Sequence, residues 1–578
     1  MTMAVQGTGV SRGIAIGKVH IARRHQLEIS QRAIRNELVE QEVMRFRKAV
    51  ADARAELREV RDRIPPSTPA EVLEFIDAHA LMLEDGALTE PPAQAIRDLE
   101  CNAEWALQVH RNRLAAVFDD MDDPYLASRI DDVDQVISRI QRHLMDETDA
   151  EGERHENYRG IVLVADDLAP ADLTLLYHNG LAGLVTEFGG PLSHTAILAR
   201  SLKIPAAMGV HHARQLFLED EQVLVDGGRG IVIADANRTV QSHYRARLRA
   251  IRKHQRHLDR LKDEEAVTRC GTRIMLEANL DLPADLELVG GCGAEGIGLY
   301  RTEYLFLNRP EPPSEDEQYE SYVEIINSMH GRPVTIRTMD LGADKPLPGR
   351  SQRGDIPVNP AMGLRAIRLC LNDHSLFIPQ LRAIVRAASA GPVRLMIPMV
   401  STAQELFQVK NLLKLTIRDL KREGHEVPER MPIGAMIEVP AAAIAAGTIA
   451  KYVDFLSIGT NDLIQYTLAI DRIDDQVSYL YDPLHPSILR LLQMTIEAGA
   501  NADKEVSMCG EMAGDPRYTR LLLGMGLRDF SMHPGGILEV KQVVKATHLD
   551  EIQPYIRRIM RATNPLRIST LVREMNSL

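Results

Sequence analysis

Residues 433–462 read IGAMIEVPAAAIAAGTIAKYVDFLSIGTND. Two short apolar runs, IGAMIEV (433–439) and DFLSIG (454–459), bracket an alanine-rich segment with the composition of a helix. Working outward, the same alternation repeats. RIMLEAN (273–279), GIGLYR (296–301), VTIRT (334–338) and RLMIPMV (394–400) lie before it, and EVSMCG (505–510) and RDFSM (528–532) after it. Eight β/α units in about 300 residues predict a (β/α)8 TIM barrel, whose active site belongs at the C-terminal ends of its strands. Chemically useful side chains gather there. Arg301 closes the second run, Arg337 the third and Glu438 the fifth; Asn461 and Asp462 follow the sixth, and Cys509 closes the seventh.

The segments ahead of the barrel differ in character. Between residues 32 and 64, Ile34, Leu38, Val43, Phe46, Val50, Ala53, Leu57, Val60 and Ile64 recur at helical steps with charged residues between them, and Pro65-Pro66 ends the pattern. Helical stretches at 70–84, 93–119 and 124–145 complete an all-helical bundle over 30–147. At Tyr158 the pattern changes: apolar runs at 160–165 and 183–186 alternate with helical segments such as 195–203, an α/β arrangement. GIAIGKVHI (13–21) is also strand-like, so the bundle reads as an insertion within this α/β domain. A basic helical run near 240–262 reads as a connector.

A chain of 578 residues exceeds a single core, which makes the protein multidomain. Its net charge of −13 disfavours nucleic acid and permits steering of a basic protein partner. Cys101, Cys270, Cys292, Cys370 and Cys509 are scattered without a C-x-x-C pair, which suits a reducing compartment. Residues 1–20 hold no signal-peptide core, and the most apolar stretch, 433–450, is interrupted by Glu438 and Pro440. No membrane segment is therefore expected, and the expected location is cytoplasmic. Residues 291–296 fit G-x-G-x-x-G but precede a strand, so they imply no dinucleotide site.

GGPLSHTAILARSLKIP (189–205) carries further chemistry. Ser193 and Thr195 are good helix starters, so His194 falls at or just before a helix N-terminus, where free amides and the helix dipole favour an anion. A neutral imidazole is a nucleophile, and its phosphorylation would leave a negative group in that setting. Read alone, Ser-His-Thr suits packing or capping better; the length of the whole segment favours chemistry.

That segment resembles the phosphohistidine signature of enzyme I of the phosphoenolpyruvate-dependent sugar phosphotransferase system, among the phosphoenolpyruvate-utilising enzymes. DFLSIGTNDLIQYTLAIDR (454–472) resembles the family's magnesium and substrate loop. GIGLYRTEYLF (296–306), TIRTMDLGADK (335–345), NPAMGLRAIR (359–368) and MCGEMAG (508–514) match in the same order, along essentially the whole chain. The resemblance implies a phosphotransferase that moves phosphate from phosphoenolpyruvate to its own His194 and then to a histidine of the phosphocarrier protein HPr, releasing pyruvate as the first step of sugar uptake. It implies that Arg301, Arg337, Arg472 and Arg365, with Asn461 and Asp462, bind the substrate; forked guanidinium groups suit both its phosphate and its carboxylate. Glu438 and Asp462 are the implied ligands of Mg²⁺, a hard cation that takes oxygen donors. Cys509 is the implied proton donor to enolpyruvate.

By the same resemblance, 1–29 with 148–239 form a swivelling phosphohistidine domain, 30–147 the HPr-binding domain, 240–268 a helical linker and 269–578 a phosphoenolpyruvate-binding barrel that pairs as a homodimer. His79, Met82, Leu83, Glu84, Asp85 and Arg129 match the carrier-docking stretch, whose acidic flank suits a basic partner. Two positions depart from the pattern. Ala169 in DDLAP stands where many relatives carry a hydroxyl residue, and Pro191-Leu192 replaces an Arg-Thr pair of some relatives. The alternatives are the nitrogen-related paralogue of enzyme I, which has an additional N-terminal sensory domain, and an enzyme like phosphoenolpyruvate synthase or pyruvate phosphate dikinase. The latter needs a nucleotide-binding domain ahead of the histidine domain, and the helical residues before His194 lack a Gly-rich phosphate loop.

Overall fold

The computed structural model describes residues 2–22, 29–63, 70–119, 130–145, 158–166, 168, 170–190, 193–282, 285–306, 309, 311–342, 362–471 and 477–578. The chain divides into two compact units, Met1–Arg252 and Lys253–Leu578.

The first unit holds a mixed sheet of β1 (Met3–Gln6), β2 (Thr8–Ser11), β3 (Ile14–Ile21), β4 (Ile161–Ala165), β5 (Gly183–Thr186), β6 (Ala206–Met208), β7 (Gln222–Asp226) and β8 (Ile231–Ala234). The order is β1-β8-β7-β3-β4-β5-β6-β2. Strands β3 to β6 run parallel, and β2, β7, β8 and β1 join antiparallel. Between β3 and β4 the chain leaves the sheet to form helices at Val39–Arg63, Ala70–Met82, Gly86–Leu99, Ala103–Asp119 and Ile130–Leu144. The helical period of the first puts Val43, Phe46, Ala53, Leu57 and Val60 on one buried stripe, against Ile96, Leu107 and Ile140. That core continues into Leu163, Leu184 and Ala196, so the bundle covers one face of the sheet.

The stretch expected as one helix over 93–119 is two. Glu100 takes a left-handed conformation, φ 45°, and closes the first of them. That helix also begins earlier than expected, at Gly86, where Asp85 accepts a bond from the Ala87 amide at 2.8 Å. It runs through Pro91 and Pro92. Proline has no N–H to offer the carbonyl four residues back. For Pro91 that is the Ala87 carbonyl, and buried His110 donates to it instead at 3.1 Å.

In the second unit all eight expected runs are strands: β9 (Met275–Leu280), β10 (Ile297–Tyr300), β11 (Val334–Arg337), β12 (Val393–Ile397), β13 (Ile433–Ile437), β14 (Phe455–Ile458), β15 (Glu505–Met508) and β16 (Asp529–Met532). They are parallel and close on themselves through β16 and β9. Burial on both faces explains their continuous apolar character, as in IGAMI of β13, where every residue is buried. Most strands stop short of the expected ends. At β12 the reason is Pro398, which cannot donate to a ladder, followed by Met399 in a left-handed conformation, φ 55°. The connector is a helix, Arg238–Arg260. Among the described residues no helix is long and apolar enough to cross a membrane.

Candidate active site

The strand ends carry the groups that the sequence put there, each at or just past the last paired residue. Arg301 follows β10, Arg337 ends β11, Glu438 follows β13 and Cys509 follows β15. Asn461 and Asp462 lie in the first turn of the helix Thr460–Leu468, after β14. That turn packs against the Cys509 turn so closely that a side chain at Gly510 would collide with Thr460, and one at Gly459 would lie 2.9 Å from Glu438 Oε2. Asn461 ties the two turns together, accepting from the Glu511 amide at 3.0 Å.

Two guanidinium groups and a set of carboxylates meet at this mouth. Arg337 is buried, with Nη2 3.0 Å from Glu303 Oε1 and Nη1 3.4 Å from Asp340 Oδ2. Arg365, capping the helix Ala366–Asn372, reaches Asp340 Oδ1 at 3.0 Å. Burial works against the charge of Arg337, but Glu303, Asp340 and Glu438 outweigh it and hold the group firmly protonated. Its Nε–H is buried, with no acceptor among the described residues. Arg301 stays partly exposed and pairs with Asp281 at 2.9 Å.

Oxygens of Asp340, Glu438 and Asp462 lie within 4.8 Å of one another. Glu438 is 1% exposed and accepts from the Met399 amide at 2.5 Å. Burial, then the neighbouring Asp340 and Asp462, push its carboxyl up to about 8. Three hard oxygen donors crowded this closely suit a divalent cation, whose charge would relieve their repulsion. Cys509 lines the barrel interior with Leu299, Met396, Met436 and Phe455, its Sγ 3.4 Å from Ser457 Oγ. Burial raises its thiol pKa, so the sulfur keeps its proton at neutral pH and can act as an acid.

Asp340 and Glu303 are site residues that the sequence reading missed. Both sit inside motifs already quoted, three residues past Arg337 and two past Arg301. Extending the search a few residues beyond each strand end would have found them.

In the other unit, His194 opens the helix His194–Ser201, and only its backbone is described. Ser193 caps that helix, accepting from the Ala196 amide at 3.2 Å, and Thr195 Oγ1 donates to the Leu168 carbonyl at 2.7 Å. Of the expected carrier-facing stretch, Glu84 and Asp85 are exposed and Met82 is half-buried. His79 and Leu83 are buried in the bundle, because the helical period sets them on the same face as Ile76. Glu84 pairs with Arg54 and, at 3.6 Å, with Arg58. Arg129, Arg472, Ala169, Pro191 and Leu192 lie outside the described residues.

Three family models match the chain: PEP-utilising enzyme, N-terminal, over residues 6–129; PEP-utilising enzyme, mobile domain, over 158–230; and PEP-utilising enzyme, PEP-binding domain, over 255–549. A phosphoenolpyruvate-protein phosphotransferase of Cupriavidus necator is 43% identical, with 100% of each chain covered. The chain belongs to the phosphoenolpyruvate-protein phosphotransferase family of PEP-utilising enzymes. Another member, from Listeria monocytogenes, is 40% identical over 96% of each chain. A solved Enzyme I protein, determined in solution by NMR, is 28% identical with a TM-score of 0.38; it covers 43% of this chain and 99% of its own. The PEP-binding model falls within the barrel unit.

Proposed function

We propose that this chain transfers the phosphoryl group of phosphoenolpyruvate to its own His194 and then to a histidine of a phosphocarrier protein of the HPr kind, releasing pyruvate. The observation that carries this reading is the barrel mouth itself: buried Arg337, with an N–H that has no acceptor among the described residues, beside three clustered carboxylates and a protonated buried thiol. A permanently charged fork with an unsatisfied donor suits an anionic substrate. Mg²⁺ held by Asp340, Glu438 and Asp462 would supply positive charge to the phosphoryl oxygens.

In this reading Arg337, Arg365 and Arg301, with Arg472, bind the substrate's phosphate and carboxylate, and Asn461 positions the phosphate. A His194 ring nitrogen attacks phosphorus as the bond to the enol oxygen breaks, and the enolate keeps that electron pair. The Cys509 thiol then gives its proton to the enolate carbon, which yields pyruvate; the thiolate regains a proton from solvent. Amides at the start of the helix His194–Ser201 favour the resulting phosphoryl group.

The reacting atoms must approach to about 3–3.5 Å, both at the barrel mouth and at the carrier. The domain bearing His194 therefore swivels between the two. Glu84 offers the carrier an acidic contact, and exposed Ile444 and Met494 on the barrel unit suit pairing with a second copy. Cytoplasmic residence fits these substrates. Incubation with labelled phosphoenolpyruvate, with and without carrier, tests the proposal. Acid-labile label should appear on the parent and be absent from His194→Ala, whose substrate binding should persist. Full labelling of that variant would refute the assignment.

A further inference from the structure

We infer that Glu303 and Gln380 are positioning residues: they hold the two successive backbone amides beyond β11 and so set where Arg337 and Asp340 stand. The inference rests on the mouth being the phosphoenolpyruvate and metal site.

Strand β11 ends at Arg337, and Thr338 still donates to the Met396 carbonyl of the neighbouring strand at 3.0 Å. Beyond it side chains take over as acceptors. The Met339 amide donates to Gln380 Oε1 at 3.0 Å, and the Asp340 amide to Glu303 Oε1 at 2.8 Å. Buried amides need such partners, and two from distant parts of the chain fix this backbone on two sides.

The orientation of Gln380 is set by its neighbours. Thr302 Oγ1 gives its proton to the Arg337 carbonyl at 3.0 Å, and the Tyr322 hydroxyl gives its own to Gln318 at 3.1 Å. Both oxygens can then only accept from Gln380 Nε2, at 3.1 and 3.4 Å, which turns Oε1 toward the Met339 amide. All three side chains are essentially inaccessible to solvent. Glu303 acts twice with one oxygen, accepting from the Asp340 amide and from Arg337 Nη2 at 3.0 Å. Its charge thereby joins the substrate-binding guanidinium to the backbone of a candidate metal ligand. With Nη2 held, the Nε–H of Arg337, which has no acceptor among the described residues, is left for the substrate. Outer groups that orient ligands in this way commonly change metal affinity by about tenfold or more when removed.

Mn²⁺ is the probe, with the electron spin resonance signal of the free ion reading binding independently of turnover. Gln380→Leu should weaken Mn²⁺ binding about tenfold, and Gln380→Glu, which as a buried neutral acid can still accept and donate, should restore it to within about threefold. Glu303→Gln keeps an acceptor for the Asp340 amide but loses the charge facing Arg337. It should raise KM for phosphoenolpyruvate about tenfold while moving Mn²⁺ affinity less than about threefold. If Gln380→Leu does not fold, Gln380→Glu and Glu303→Gln carry the test through the split between KM and Mn²⁺ affinity. Variants that melt earlier yet keep parental Mn²⁺ affinity and KM would overturn the inference, leaving the two residues structural. A parent protein that binds no Mn²⁺ would overturn the site reading and the inference with it.

Discussion

Replacing Arg394 by Met should destabilise the barrel by an amount that grows with pH. At the N-terminal ends of the strands, Glu277 is 1% exposed and accepts from Arg394 Nη2 at 2.8 and 2.9 Å. Arg394 also donates to Thr335 at 2.8 Å and lies 5.2 Å from the centre of the Phe455 ring. Asp529 adds a second carboxyl, whose Oδ1 is buried without a partner among the described residues. Burial raises the pKa of both acids; Arg394 pulls that of Glu277 back, and the charge of Glu277 raises that of Asp529 further. A carboxyl with a raised folded-state pKa stabilises fully below its unfolded value, near 4, and loses that contribution as pH rises through the folded value. Without Arg394 the folded values rise further, so the deficit against the parent is small near pH 4 and widens above it. Leaving one member of a buried pair uncompensated costs about 3–5 kcal/mol. For a unit of this size that is a fall in Tm of roughly 4–7 °C at pH 8. Scanning calorimetry at pH 5 and pH 8 measures it. An equal deficit at both pH values, or one below about 1 kcal/mol at pH 8, would refute the reasoning.

Glu438→Gln and Asp462→Asn should each abolish Mg²⁺-dependent turnover with little loss of thermal stability, since Gln keeps an acceptor for the Met399 amide and Asp462 is only half-buried; near-normal rates in both at ordinary Mg²⁺ would contradict the metal group. Glu84→Lys should slow transfer to the carrier and spare self-phosphorylation, and added salt should weaken carrier association more in the parent than in the variant. Asp85 is left intact in that test because it caps the helix Gly86–Leu99; equal losses in both half-reactions would point to misfolding instead. His110→Ala removes the donor to the Ala87 carbonyl freed by Pro91 and should cost the N-terminal unit about 1–3 kcal/mol in urea unfolding. A cost under about 0.5 kcal/mol would mean that water serves that carbonyl as well.

How much of this was legible depended on whether a feature is local. The eight strands were, because burial on both faces demands uninterrupted apolar runs and turns interrupt them. The helix boundary at Glu100 was not, since Glu100 to Asn102 leave the apolar period undisturbed. Nor was a helix running through Pro91, which depends on a hydrogen bond from His110, 23 residues away. Motif likeness marked residues 79–85 as a surface, yet the helical period turns His79 and Leu83 inward. At the mouth, residues on strand ends were found and Asp340 was missed, because it lies three residues past the end of β11, where its amide is held by Glu303, 37 residues back in the chain.

Both ends of the barrel hold crowded carboxyl groups, and space separates their roles. At the floor, side chains at Gly296 and Gly298 would come within 2.9 and 2.6 Å of the Glu277 carboxylate, so the backbone closes on it. Excess negative charge there can be neutralised by Arg394 or by a proton, and the close backbone works against a hydrated ion at Glu277. At the mouth, half-buried Asp462 and partly exposed Arg301 leave a way in for both a cation and an anion. The two clusters should therefore respond differently to Mg²⁺. If it binds only at the mouth, as proposed, the ion should raise the melting temperature of the parent and of Arg394→Met by the same increment and leave the Arg394→Met deficit unchanged. A deficit that Mg²⁺ erases would place the ion at the floor and remove the distinction.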